Sequence, residues 1–152
     1  GGDPRLIFIA GHSAGGYLTS MIGLDKRWMA PYGIDPDTAF AALIPYSGQV
    51  VTHFERRREL GLPDTQPLVD DMAPLSYVRP DCRPMLILSG DREREMMGRY
   101  EENAYFWRMM RVAGHPDVRI CEFDGFDHGN MPQAGHFVAV RYIREMERRM
   151  DR

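Results

Sequence analysis

Residues 6–24 read LIFIAGHSAGGYLTSMIGL. The run from Leu6 to Ala10 is short, apolar and halted by Gly11, the pattern of a strand buried on both faces. From Gly15 to about Leu24 the apolar spacing changes to three and four, with Leu18, Met21 and Ile22 on one side, which predicts a helix. Between the two stands Ser13, a small polar residue flanked by Gly11, Gly15 and Gly16. A chain that passes from strand to helix in so few residues strains its corner residue, and small neighbours let other backbone pass close by. The corner side chain is pushed out over the end of the sheet, where the first-turn N–H groups of the new helix also point.

Further along the chain FAALIPYSG (40–48), MLILSG (85–90) and VRICEF (118–123) supply three more strands. The strand VRICEF offers Val118, Ile120 and Phe123 to the core. Helices are expected over about 98–113, with Tyr100, Ala104, Trp107 and Met110 as the apolar stripe, and over about 136–149. Residues 49–84 are interrupted by turn formers and read as an excursion above the sheet, with a short helix within 53–62. Strands alternating with helices predict one α/β domain over 1–152, an open, mostly parallel sheet with helices on both faces. Such sheets carry chemistry at the carboxyl ends of their strands, which singles out Ser13, Ser47, Asp91 with Glu93, and His128.

Composition narrows the classes. The chain has 152 residues, 43% hydrophobic and 27% charged, with a formal net charge of −3, a balance that suits a globular core and argues against nucleic acid as a partner. The arginine runs at 56–58 and 148–149 sit among glutamates and read as solvated helix faces. No run approaches the roughly 20 apolar residues of a membrane-crossing helix. Cys82 and Cys121 are too few for a disulfide framework and lack metal-ligand spacing, so no metal is expected, and a reducing, cytoplasmic setting is.

Gly11-His12-Ser13-Ala14-Gly15 is a G-x-S-x-G sequence in a strand–turn–helix context, the arrangement called a nucleophile elbow, in which the N–H of Ala14 is an oxyanion donor. With GHSAGG so placed, the chain resembles the α/β-hydrolase fold in its esterase and lipase branch. That resemblance implies a serine nucleophile, Ser13, then an acid and a histidine base, in that order along the chain. His128, in GFDHGN after the last strand, matches the base; the family's acid stands three residues beyond a strand-closing glycine, which in LILSGDREREMM is Glu93, with Asp91 the competitor. The stretches 73–90 and 113–129 are similar to the group of small carboxylesterases that includes feruloyl-esterase-like enzymes and arylformamidases.

The implied activity is hydrolysis of small-molecule carboxylic esters through an acyl-enzyme, with no organic cofactor and no membrane partner. Its rivals are a non-catalytic ligand- or partner-binding homologue and an arylformamidase-type amide hydrolase. Met72, Met96, Met97, Phe126 and Met131 are candidate pocket walls. The family's upstream strands and its glycine-rich oxyanion loop have no counterpart before Gly1, so the resemblance covers the C-terminal part of the fold, and an N-terminal segment or second chain is expected to complete the sheet. A homo-oligomer is the other assembly considered.

Overall fold

A computed structural model describes residues 2–150. In chain order the elements are β1 (Phe8–His12), α1 (Ala14–Leu24), α2 (Pro36–Ala39), β2 (Ala42–Tyr46), α3 (Phe54–Glu59), β3 (Met85–Gly90), α4 (Arg99–Val112), β4 (Val118–Phe123) and α5 (Met131–Met150). The four strands are parallel and stand in the order β1-β2-β3-β4. The sheet is thus mostly apolar on both faces, as parallel sheets covered by helices are. Leu43, Met85 and Ile87 pack with Leu24 of α1 and with Phe106 and Met110 of α4. On the opposite face Ala42, Ile44, Leu86 and Leu88 pack with Met131, Ala139, Tyr142 and Met146 of α5. Strands β2 and β3 are buried at every position, whereas β1, expected to be buried on both faces over Leu6–Ala10 and to stop at Gly11, runs through Gly11 to His12 and is half-exposed because it lies at an edge.

Three local expectations need correction. Leu18 is 52% exposed, because α1 turns its small residues, Gly16, Ser20 and Gly23, toward the sheet together with Tyr17, Met21 and Leu24. The buried face of α4 is Arg99, Asn103, Phe106 and Met110, one residue round from the expected stripe. Two polar side chains occupy that face because they bind the loop after β2, a tertiary demand invisible to hydrophobic periodicity. Finally, α5 starts at Met131, not near His136. Pro132 sits in the first turn, where its missing N–H costs no helix bond, and Gly135 lies where a Cβ would come 2.6 Å from the Tyr46 ring.

The elbow depends on backbone touching backbone. A Cβ on Gly16 would lie 2.6 Å from the Tyr46 carbonyl oxygen, and one on Gly48 would lie 2.5 Å from the Gly16 carbonyl carbon. At Gly15 a Cβ meets nothing within 4 Å. Gly16→Ala or Gly48→Ala is therefore expected to destabilise the fold by about 3 kcal/mol through overpacking, while Gly15→Ala stabilises it by about 0.5–1 kcal/mol through helix propensity. Urea denaturation of the three variants reads the difference directly.

Candidate active site

Ser13 follows the last residue of β1 and caps α1 at φ 57, ψ −116, a backbone state open to few L-residues. Two contacts hold it there. Its N–H donates to the Tyr46 carbonyl at 2.9 Å, and its own carbonyl accepts the N–H of Tyr17 at 3.0 Å. The next amide, that of Ala14, is the first of α1 and has no intrahelical acceptor.

His128 lies in the loop between β4 and α5, and its Nε2 is 2.9 Å from Ser13 Oγ. The loop is set by Asp127, whose Oδ1 accepts the N–H groups of Gly129 and Asn130 at 2.9 and 3.0 Å and whose carboxylate is thereby turned to the start of α5. A second clamp comes from His12, whose Nε2 is 2.8 Å from the His128 carbonyl oxygen. A carbonyl only accepts, so the proton of His12 is on Nε2. Burial, and then the neighbouring His128 ring at 4.7 Å, hold the His12 pKa below its ordinary value and keep this imidazole neutral.

The carboxylate on His128 is that of Glu95, with Oε2 2.8 Å from Nδ1. The acid expected at Glu93 or Asp91 is corrected accordingly: neither residue hydrogen-bonds His128 among the described residues. Asp91 instead builds the loop. Its Oδ1 accepts the N–H of Glu93 at 2.8 Å, its Oδ2 that of Gly125 at 2.7 Å, and its carbonyl those of Arg94 and Glu95 at 2.9 and 2.8 Å. Residues 91–95 therefore make one helical turn that carries Glu93 out to solvent and returns Glu95 over Gly90. The sequence carried no signal that separates Glu95 from Glu93, because the turn that does so depends on the long-range bond from the Gly125 amide to Asp91.

Glu95 has only 1% of its side chain exposed, which by itself raises a carboxyl pKa, yet the pKa falls to about 2. Hydrogen bonds from His128, Ser47 and the amides of Met96 and Gly90 outweigh the burial. The carboxylate is thus ionised at neutral pH and fixes the His128 proton on Nδ1, which leaves Nε2 free to accept from the Ser13 hydroxyl. Because the folded pKa lies below the ordinary value of 4.5, this group stabilises the fold above about pH 4.5 and loses that stabilisation as pH falls toward 2. At about 1.4 kcal/mol per unit the loss is about 3 kcal/mol. Guanidinium melts from pH 5 to pH 2 should show a loss larger by about this amount in the wild type than in Glu95→Gln, because other carboxylates with lowered pKa values contribute to both.

Met96 and Met97, next to Glu95, line a cavity of about 490 Å³ with Gln49, Val51, Phe54 and Arg57 of the excursion. Met72 lines a different groove, along α1, and Met131 is fully buried in the core. Phe126 also packs on the core, on the α5 side. Of the five candidate pocket walls, then, two face this cavity.

A parallel sheet with helices on both faces, and a strained serine at the strand-to-helix corner, define the fold as that of the α/β-hydrolases. The solved esterase 2 of Thermogutta terrifontis superposes with a TM-score of 0.72 at 22% identity in its native form, over 95% of this chain and 56% of that one. No family model matches the chain. Among curated proteins it is similar to esterase LipQ of Mycobacterium tuberculosis, 30% identical over 143 residues, covering 84% of this chain and 34% of the relative. Esterase LipC of the same organism is 27% identical over 146 residues, covering 85% of this chain and 36% of the relative. The chain spans about a third of the length of the curated relatives it matches.

Proposed function

We propose that this chain carries the nucleophile, base and acid of a serine hydrolase acting on small carboxylic esters. The observation that carries the reading is the continuous line Ser13 Oγ, His128 Nε2, His128 Nδ1, Glu95 Oε2, with links of 2.9 and 2.8 Å. The names of the relatives, all esterases or ester hydrolases, support the choice of bond.

In this reaction Ser13 Oγ attacks the ester carbonyl carbon as its proton passes to His128 Nε2. The charge gathering on the carbonyl oxygen is met by the N–H of Ala14 and the positive end of α1. Glu95 stabilises the imidazolium without taking its proton. His128 then returns the proton to the departing alcohol, and water, deprotonated by the same ring, releases the acid from Ser13. The serine is needed because a two-step path through an acyl-enzyme replaces one difficult attack by water.

The edge strand β1 and the partial coverage of the relatives support a further part of the proposal. More strands continue the sheet beyond β1 in the working enzyme, and they bring the remaining oxyanion donors and pocket walls. The test is covalent labelling: a fluorophosphonate probe should modify the purified full-length protein at Ser13, mapped by mass spectrometry, with hydrolysis of p-nitrophenyl acetate measured in parallel. A folded full-length protein, with the strands beyond β1 in place, that neither labels nor turns over would instead be a ligand-binding homologue.

A further inference from the structure

A second serine stands at the end of β2. Ser47 is wholly buried and has φ 43; besides Ser13 it is the one non-glycine residue with positive φ among the described residues. Such a state costs an L-residue about 1–2 kcal/mol, so the surroundings must hold it there. Its N–H donates to the Leu88 carbonyl at 2.7 Å, and its carbonyl accepts from Arg99 Nη1. Arg99 is itself buried and paired with Glu102 at 3.0 Å, while the other Glu102 oxygen accepts the amides of Val50 and Val51 at 2.9 and 3.1 Å. Asn103 Nδ2 donates to the Gly48 carbonyl at 2.8 Å. The polar face of α4 thus grips the backbone from Ser47 to Val51, and the Ser47 hydroxyl is left to donate to Glu95 Oε1.

We propose that Ser47 is a positioning residue for the hydrolytic reaction, its hydroxyl turning the Glu95 carboxylate so that Oε2 meets His128. Oε1 accepts from Ser47 and from the Gly90 amide at 3.1 Å; Oε2 accepts from the Met96 amide at 3.0 Å and from His128. The amides of Gly90 and Met96 belong to the acid's own loop and its base, and they travel with it. Ser47 comes from a neighbouring strand. Its predecessor Tyr46, the last residue of β2, holds the Ser13 N–H through its carbonyl, so two consecutive residues at the strand's end grip the nucleophile with one group and the acid with the next. The distance between serine and carboxylate is thereby referred to a single buried dipeptide at the end of β2, held by the Ser47 N–H on the Leu88 carbonyl.

The inference rests on the serine-hydrolase reading, and the experiment separates the two. Ser47→Gly adopts φ 43 without strain, so it removes the hydroxyl while the relieved strain offsets part of the lost hydrogen bond and the protein stays folded. Ser47→Ala removes the hydroxyl and keeps the strain. Both variants should show kcat about tenfold or more lower with KM within twofold, as loss of a hydrogen bond to a charged group implies. The Glu95 carboxyl, followed by ¹³C NMR, should titrate above its wild-type value, because losing a donor to the ionised form raises a pKa. His128, His12 and Arg99 are the other ionisable groups around it, and neither substitution touches them. Unchanged kcat and an unchanged Glu95 titration in Ser47→Gly would overturn the inference, as would a kcat loss in Ser47→Ala that Ser47→Gly restores, since strain and not the hydroxyl would then be at work. If Ser13 fails to label in the wild type, it is the hydrolase reading that falls, while the carboxyl titration still reports the Ser47 bond.

Discussion

Ser13→Ala is expected to lower kcat toward p-nitrophenyl acetate on the order of 10⁵-fold or more and to abolish fluorophosphonate labelling, with the fold intact. The size follows from the role: without Oγ there is no acyl-enzyme, and only the oxyanion donors and substrate binding continue to act on direct attack by water. Stability should scarcely move, because the hydroxyl's partner, His128, is 18% exposed and can bind water in its place. Ser13→Gly separates chemistry from strain. It is expected to be as inactive as the alanine variant but more stable by about 1 kcal/mol, since φ 57 with ψ −116 is a state glycine enters freely. Retention of a tenth of wild-type turnover in either variant would place the nucleophile elsewhere and end the proposal.

The second large effect belongs to Glu95. Glu95→Gln is expected to reduce kcat about 10³- to 10⁴-fold, because an amide can no longer hold the His128 proton on Nδ1 by charge and the imidazolium loses its counter-ion. Some stability goes too, since an NH₂ group must then face one of the donors from Ser47, Gly90 and Met96. Glu93→Gln, at an exposed position, should leave kcat within about twofold. Asp91→Asn should cost about 1 kcal/mol of stability and little chemistry, because its two oxygens accept from Glu93 and Gly125 and an amide nitrogen cannot do so. Full activity in Glu95→Gln together with collapse in Glu93→Gln would reverse the assignment of the acid.

How far the residues alone reach is clear from these two cases. Ser13 and His128 lie in short loops directly after β1 and β4, and such loops follow from local signals: an apolar run, nearby glycines and a change to helical spacing, although β1 continues through Gly11 to His12. The acid loop is longer, and its path depends on where Asp91 finds its partners. One of them, the Gly125 amide, is 34 residues away. A carboxylate two residues nearer the strand satisfies the same sequence pattern, so Glu93 and Glu95 differ only once the turn over 91–95 is in place.

The order of strands and helices along the chain, the corner at Ser13 and the histidine that faces it are legible in the residues, because each is encoded locally through backbone sterics and hydrophobic spacing. The tertiary structure alone decided that Glu95 is the carboxylate on His128, that α4 buries Arg99 and Asn103, and that Ser47 stands behind the acid. Those choices are made by hydrogen bonds between segments as many as 55 residues apart, and their energies exist only after the sheet has brought the segments together.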